Sequence, residues 1–166
     1  NVIPSQDINT LDKLKAFLKA NHHVLYELIE SGEIVDVHYL PRLAHISKEL
    51  ISPDNWYILG DAGYMFDPLY SPGLALTCMA IETVTETIRA KLANEADAEE
   101  KQRMYNEFLT QYQRRYTTLY QRHDRHLGNA SVMSWRIYME NMFWFGIIVP
   151  MYAGKWFLDF RFLKPF

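Results

Sequence analysis

The sequence holds a single cysteine, Cys78, which excludes a disulfide framework and any zinc site built on several thiolates. One thiol also fits a reducing compartment; the expected location is cytoplasmic or membrane-peripheral. Seven glycines and seven prolines are too few for collagen-like or low-complexity sequence. Positive charge is not in excess. Lys and Arg number 17 against 20 Asp and Glu, and the pI is near 6.1, so the electrostatic footprint of a nucleic-acid binder is missing. No apolar run approaches the ~20 residues that cross a bilayer. The chain opens Asn1-Val2-Ile3-Pro4 with neither an initiator methionine nor a charged-then-apolar leader, and reads as an internal start of a processed or incomplete chain.

What is present is a folding composition. Hydrophobic residues make up 49% and charged residues 22%, which sets the chain apart from disordered sequence. Aromatic residues reach 14% and crowd toward the C-terminus. Apolar positions from Leu11 to Ile29 recur at three-and-four spacing and predict one helix over 7–31, capped by Asp7 or Asn9 and ended by Ser31-Gly32. Beyond Glu33 the period shortens. Ile34, Val35, Val37 and Tyr39, then Leu43 and His45, predict short strands interrupted at Pro41. Ser52-Pro53-Asp54-Asn55 is a turn by composition. Trp56-Tyr57-Ile58-Leu59 reads as a buried strand of a parallel sheet. Two long helices follow, about 74–94 and 98–127. The first is expected to bury Leu76, Met79, Ala80, Val84, Thr87, Ile88 and Leu92. The second carries Met104, Phe108, Tyr112, Tyr116, Leu119 and Tyr120 on one side. The expected class is α/β, mostly helical with a few strands.

The chemically informative stretch is Trp56 to Ala80. It reads as a strand, a tight Gly60-Asp61-Ala62 turn, a Pro- and Gly-bearing loop, and a helix start at Gly73. A carboxylate delivered at the end of a strand is placed to meet a ligand there, and its two oxygens suit paired hydroxyl groups. Gly60 allows close approach of the backbone. A helix start offers unpaired N–H groups and the positive end of the dipole to an anion or to developing negative charge.

These residues resemble the second flavin-binding motif of the FAD-dependent aromatic hydroxylase fold, and most of all that of the flavin-dependent halogenases. The matching residues are Gly60-Asp61-Ala62, Asp67-Pro68-Leu69 and Ser71-Pro72-Gly73. The resemblance implies that the chain is a C-terminal portion of such a fold. Residues 1–55 would end a substrate-side helix and sheet region, 56–94 would return to the FAD-binding domain, and 95–166 would form a C-terminal helical region with an aromatic tail. It implies FAD as cofactor and halide as a further ligand. Gly60, Asp61 and Ala62 would sit at the ribityl or pyrophosphate region; Pro68, Ser71, Pro72, Gly73, Leu74 and Ala75 would line the flavin edge. The implied activity is that of an oxidoreductase acting through a flavin C4a-hydroperoxide, as halogenase or monooxygenase, on a small aromatic or other apolar substrate.

Departures from the pattern are visible. Tyr70 stands where tryptophan halogenases carry a catalytic Glu, and is the candidate catalytic residue on position alone. Pro72 lacks the N–H that a halide site uses. The dinucleotide-binding G-x-G-x-x-G and the halogenase W-x-W-x-I-P are absent from the sequence. The implied partner is therefore a missing N-terminal half or a second chain, without which this chain is expected to be inactive.

Other residues read more plainly. His123 and His126 flank Asp124 at a spacing that could face a metal, but Arg122 and Arg125 interleave, and a solvated helix end is the better reading. Cys78 has apolar helical neighbours and reads as buried and inert. Glu82 and Glu86 read as a solvated face. The run Met142–Tyr152 is too short to span a bilayer. It reads as core or pocket wall, or as contact with a membrane surface. The alternative function is a non-catalytic helical module that binds a partner or a membrane through that tail.

Overall fold

The computed structural model describes residues 8–40, 43–66, 72–120 and 125–163. Among the described residues the chain is mostly helical with two short strands, and it divides into two compact units, Asn1–Leu43 and Ala44–Phe166.

The first unit is a helical hairpin. Helix α1 (Leu11–Asn21) is capped by Thr10, whose Oγ1 accepts from the Lys13 N–H at 3.3 Å. The cap is thus neither Asn9 nor Asp7; Asp7 lies outside the described residues. The expected single helix is broken at His22 (φ −143°), and α2 (His23–Glu30) starts afresh. Asn21 and the two histidines are weak helix formers, and the Asn21 amide donates to the Phe17 carbonyl at 2.9 Å, offering the backbone a local alternative. Lys15 and Glu30 pair across the hairpin at 2.5 Å. Of the apolar face only Leu18 is buried; Val24 is 81% exposed. Residues 33–40 form no strand and join no sheet among the described residues, because no partner strand is at hand to take their backbone groups. Pro41 lies outside the described residues.

In the second unit β1 (His45–Ile46) pairs antiparallel with β2 (Tyr64–Met65), His45 opposite Met65 and Ile46 opposite Tyr64. Between them the chain folds back at the Ser52–Asn55 turn, where Asn55 takes φ 62° and Ile51 bridges Tyr57. The segment 56–59 is therefore an arm of an antiparallel hairpin, not a strand of a parallel sheet. Trp56 and Leu59 are exposed. The local turn supplies a partner only a few residues away and so preempts a distant one.

Helices α3 (Pro72–Leu92) and α4 (Ala98–Tyr120) form the antiparallel core pair. Small residues on α3, namely Ala80, Thr83, Thr87 and Ala90, are buried and permit close approach. The buried hydroxyls are satisfied within the helix, Thr83 by the Met79 carbonyl at 3.0 Å and Thr87 by that of Thr83 at 2.8 Å. Ile88 and Leu92, expected inside, are exposed at the end of the pair. Glu86 pairs with Arg89 at 2.6 Å and with Lys101 at 3.3 Å, while Glu82 pairs with Lys155; this face is joined, not merely solvated. The Arg89 hydrogen bond holds the Glu86 carboxyl below its ordinary range.

α4 also grips the preceding loop by its main chain. Asn106 Oδ1 accepts from the N–H groups of Leu50 and Ile51 at 2.9 and 3.0 Å. Gln102 donates to the Ser52 carbonyl, and Gln113 to that of Ser47 at 2.5 Å. The helix is described as far as Tyr120; residues 121–124 lie outside the described residues, and 125–128 form a turn where helix was expected to 127.

Asn129 caps α5 (Ala130–Phe143), which passes through one π-helical turn (Trp144–Ile148) into α6 (Val149–Ala153). A 3₁₀ turn and α7 (Phe160–Leu163) close the chain over α4, burying Phe157 and Leu163.

The core is rich in phenols. Burial pushes Tyr105 up to about 12 and raises Tyr64, Tyr112 and Tyr116 as well. Their folded values lie above that of an unfolded phenol, about 10. Stability is thus fully present below about pH 10 and is lost as the unfolded state alone ionises above it. Helical circular dichroism followed against pH is expected to collapse between about pH 10 and 12.

Candidate functional site

The Gly60-Asp61-Ala62 motif is a single 3₁₀ turn. Leu59 arrives extended, Gly60 adopts φ +59°, and the Gly63 N–H closes the turn on the Gly60 carbonyl at 2.9 Å. A left-handed residue here is what glycine supplies without strain. Gly63 is required for a different reason: a Cβ there would lie 2.6 Å from Leu50 Cδ2, inside a fully buried side chain. Asp61 and Ala62 are exposed at the tip.

Two contacts fix this tip. From one side, Ser47 Oγ donates to the Gly63 carbonyl at 2.6 Å, and Ser47 is itself held by Gln113 of α4. From the other, the buried Tyr64 hydroxyl and Thr77 Oγ1 lie 2.9 Å apart, and Thr77 donates to the Gly73 carbonyl at 2.8 Å. The turn and the first turn of α3 are thus pinned together on Thr77. The sequence reading missed Thr77; its spacing of four from Gly73 is the signal that could have found it.

α3 is already helical at Pro72, its first described residue, one before the expected Gly73. Pro72 is buried, Leu74 is exposed and Ala75 is half-buried. Among the described residues nothing lies within 4 Å of a Cβ built at Gly73. The structure therefore brings Gly60, Asp61, Ala62, Gly73 and Thr77 together. Asp67, Pro68, Leu69, Tyr70 and Ser71 lie outside the described residues. Cys78 is half-buried, not buried.

A chain of ring contacts leads inward from this turn. Tyr64 stacks on Phe66 at 5.5 Å, Phe66 meets Tyr116 at 6.1 Å, and Tyr116 stacks on Tyr112 at 4.7 Å. Tyr112 and Tyr116 line a cavity of about 260 Å³ whose other walls include Phe108, Phe143, Ile148 and Met151. Gln111 and Arg115 are its polar members. Here the aromatic tail does wall a pocket. A larger polar groove, about 1100 Å³ along Glu49, Lys91 and Glu99, shares no residue with the turn. Among the described residues no group of His, Cys, Asp and Glu could hold a metal ion, and no helix is long and apolar enough to cross a membrane.

Thr77→Val removes the hydroxyl shared by Tyr64 and the Gly73 carbonyl. It is expected to cost about 1 kcal/mol in urea unfolding, and Thr77→Ser to restore the loss.

The resemblance to flavin-dependent halogenases is shown over nearly the whole chain. The similar protein is the flavin-dependent halogenase chlA of Dictyostelium discoideum, 46% identical over 156 residues, which are 93% of this chain and 26% of that protein. The chain thus spans about a quarter of that relative's length. No family model matches the chain. No solved structure matches it either.

Proposed function

We propose that this chain forms part of an FAD-dependent oxidoreductase of the halogenase type that acts on a small aromatic or other apolar substrate. The observation that carries the reading is the 46% identity over 93% of the chain to a flavin-dependent halogenase. The site fits the cofactor in chemical kind. Asp61 offers an exposed acceptor pair to ribityl hydroxyls, and Gly60, Ala62 and Gly73 leave room for close approach. The first turn of the 21-residue α3 directs its dipole and the N–H groups of Gly73, Leu74 and Ala75 at negative charge on the flavin edge or at a halide. The resemblance assigns Pro68 and Ser71 to the cofactor and Tyr70 to the candidate catalytic position.

Bound there, FAD would supply the oxidising chemistry with oxygen, directed either to halide or to the substrate. The protein's share is to hold, orient and exclude water. The 260 Å³ cavity behind Tyr116 is the apolar wall for the substrate. A cavity of about 150 Å³ holds benzene, so this one admits one or two rings. Residues 1–55, 56–94 and 95–166 serve as substrate-side, FAD-side and covering segments of the longer protein. The remainder of the fold comes from polypeptide outside this chain.

The test is a graft. The region of the Dictyostelium relative that matches this chain is replaced by it, and the purified hybrid is examined for bound flavin and for halogenated phenolic product. Flavin retention with product that requires halide is the expected result. Flavin with oxygenated product at equal rate in the absence of halide would overturn the halogenase assignment. A folded hybrid devoid of flavin would overturn the FAD site itself.

A further inference from the structure

Helix α5 is amphipathic in the wrong sense for a helix facing water. Its two charged side chains, Arg136 and Glu140, pair at 2.9 Å and are only 17% and 11% exposed. Arg136 also donates to the Leu119 carbonyl at the end of α4. The charges are turned inward. The opposite arc carries Trp135, Tyr138, Met139 and Met142 at helical spacing, continued by Phe145 in the π-helical turn, all 56–71% exposed. No residue of α5 is buried within this chain. A water-facing helix places its charges out and its apolar stripe in; this one does the reverse.

We propose that this face is a docking surface for polypeptide, and that its occupant is the segment corresponding to the part of the halogenase relative that this chain does not match. Three observations select that occupant. The relative carries about three quarters of its length outside the matched region, so chain is available to cover the face. The face bears no charge, which removes the electrostatic attraction that draws interfacial helices to anionic lipid, and such helices carry Lys and Arg where this one carries a closed ion pair. The composition, Trp, Tyr, Phe and two Met, is that of an interface centre. Five such side chains offer on the order of 600 Å², most of the roughly 800 Å² that a stable interface takes from each partner. The proposal uses the relative to identify the partner and does not depend on flavin binding.

The test compares two molecules: this chain alone, and the full graft in which it replaces the matching region of the relative. Oxidative footprinting reads Met139, Met142 and Trp135 in both, with the buried Tyr105 as a control for folding. The expected result is about tenfold slower oxidation of the three residues in the graft, Tyr105 being protected in both. Equal oxidation in both would overturn the proposal. So would protection in the chain alone accompanied by a doubled mass, which would make the occupant a second copy. Protection of the chain alone on phosphatidylcholine vesicles, with none in the graft, would make it a bilayer and would equally overturn the proposal. Should the full graft not fold, a graft of residues 130–153 alone gives the same comparison. A graft without flavin but with the three residues protected would refute the FAD site and sustain the docking surface.

Discussion

Asn106→Ala is expected to lower the unfolding free energy by on the order of 3 kcal/mol, and Asn106→Asp to leave it close to that of the parent. One carboxamide oxygen accepts both the Leu50 and the Ile51 N–H, and those two side chains are fully buried. Truncation orphans two main-chain donors at once, each worth about 1–3 kcal/mol when desolvated. Aspartate keeps an oxygen in the same place and strengthens the acceptor. Urea denaturation of the three proteins reads the difference. If alanine and aspartate cost the same, the bond is not what holds the loop, and the cost belongs to packing.

The second large effect concerns the proposed cofactor. In the graft, Asp61→Asn is expected to weaken flavin retention by about 10–100-fold, the equivalent of one or two charge-assisted hydrogen bonds. In the chain alone the same substitution is expected to leave stability within about 0.5 kcal/mol, because Asp61 is exposed. Equilibrium dialysis of flavin against the graft, beside urea unfolding of the isolated chain, separates the two. Flavin retention equal to that of the parent would remove Asp61 from the site.

How much of this was legible follows from where each residue's partner lies. α3 and α4 were readable because their apolar positions recur over many turns, and Leu76, Met79, Phe108 and Tyr112 fall inside as the spacing requires. The Ser52–Asn55 turn and the Gly60–Ala62 motif were readable because both are local. What failed depends on distant neighbours. Residues 33–40 have the alternation of strands but find no ladder, and 56–59 were taken by a hairpin partner that composition does not reveal. Gln113 is polar by type and fully buried, because the carbonyl that it serves lies 66 residues earlier in the chain. Glu82 and Glu86 read as a solvated pair because Lys155 and Lys101, their partners, belong to other elements. The reversed face of α5 was hidden for the same reason: helical spacing shows that two faces differ, but not which one points inward.

The double anchoring of the Gly60 turn bears on how such chains can be recombined. Its backbone is tied through Ser47 to Gln113 near the far end of α4, and its following tyrosine is tied to Thr77 on α3. Residues 47 to 113 therefore travel as one inheritable block. A crossover between relatives placed inside that interval would pair a loop from one parent with a helix from the other and, where the parents differ at Ser47, Tyr64, Thr77 or Gln113, misplace the carboxylate. Crossovers at 40–44 or 125–129 lie outside that interval and leave the block whole, the second at the cost of the Arg136–Leu119 and Lys155–Glu82 contacts.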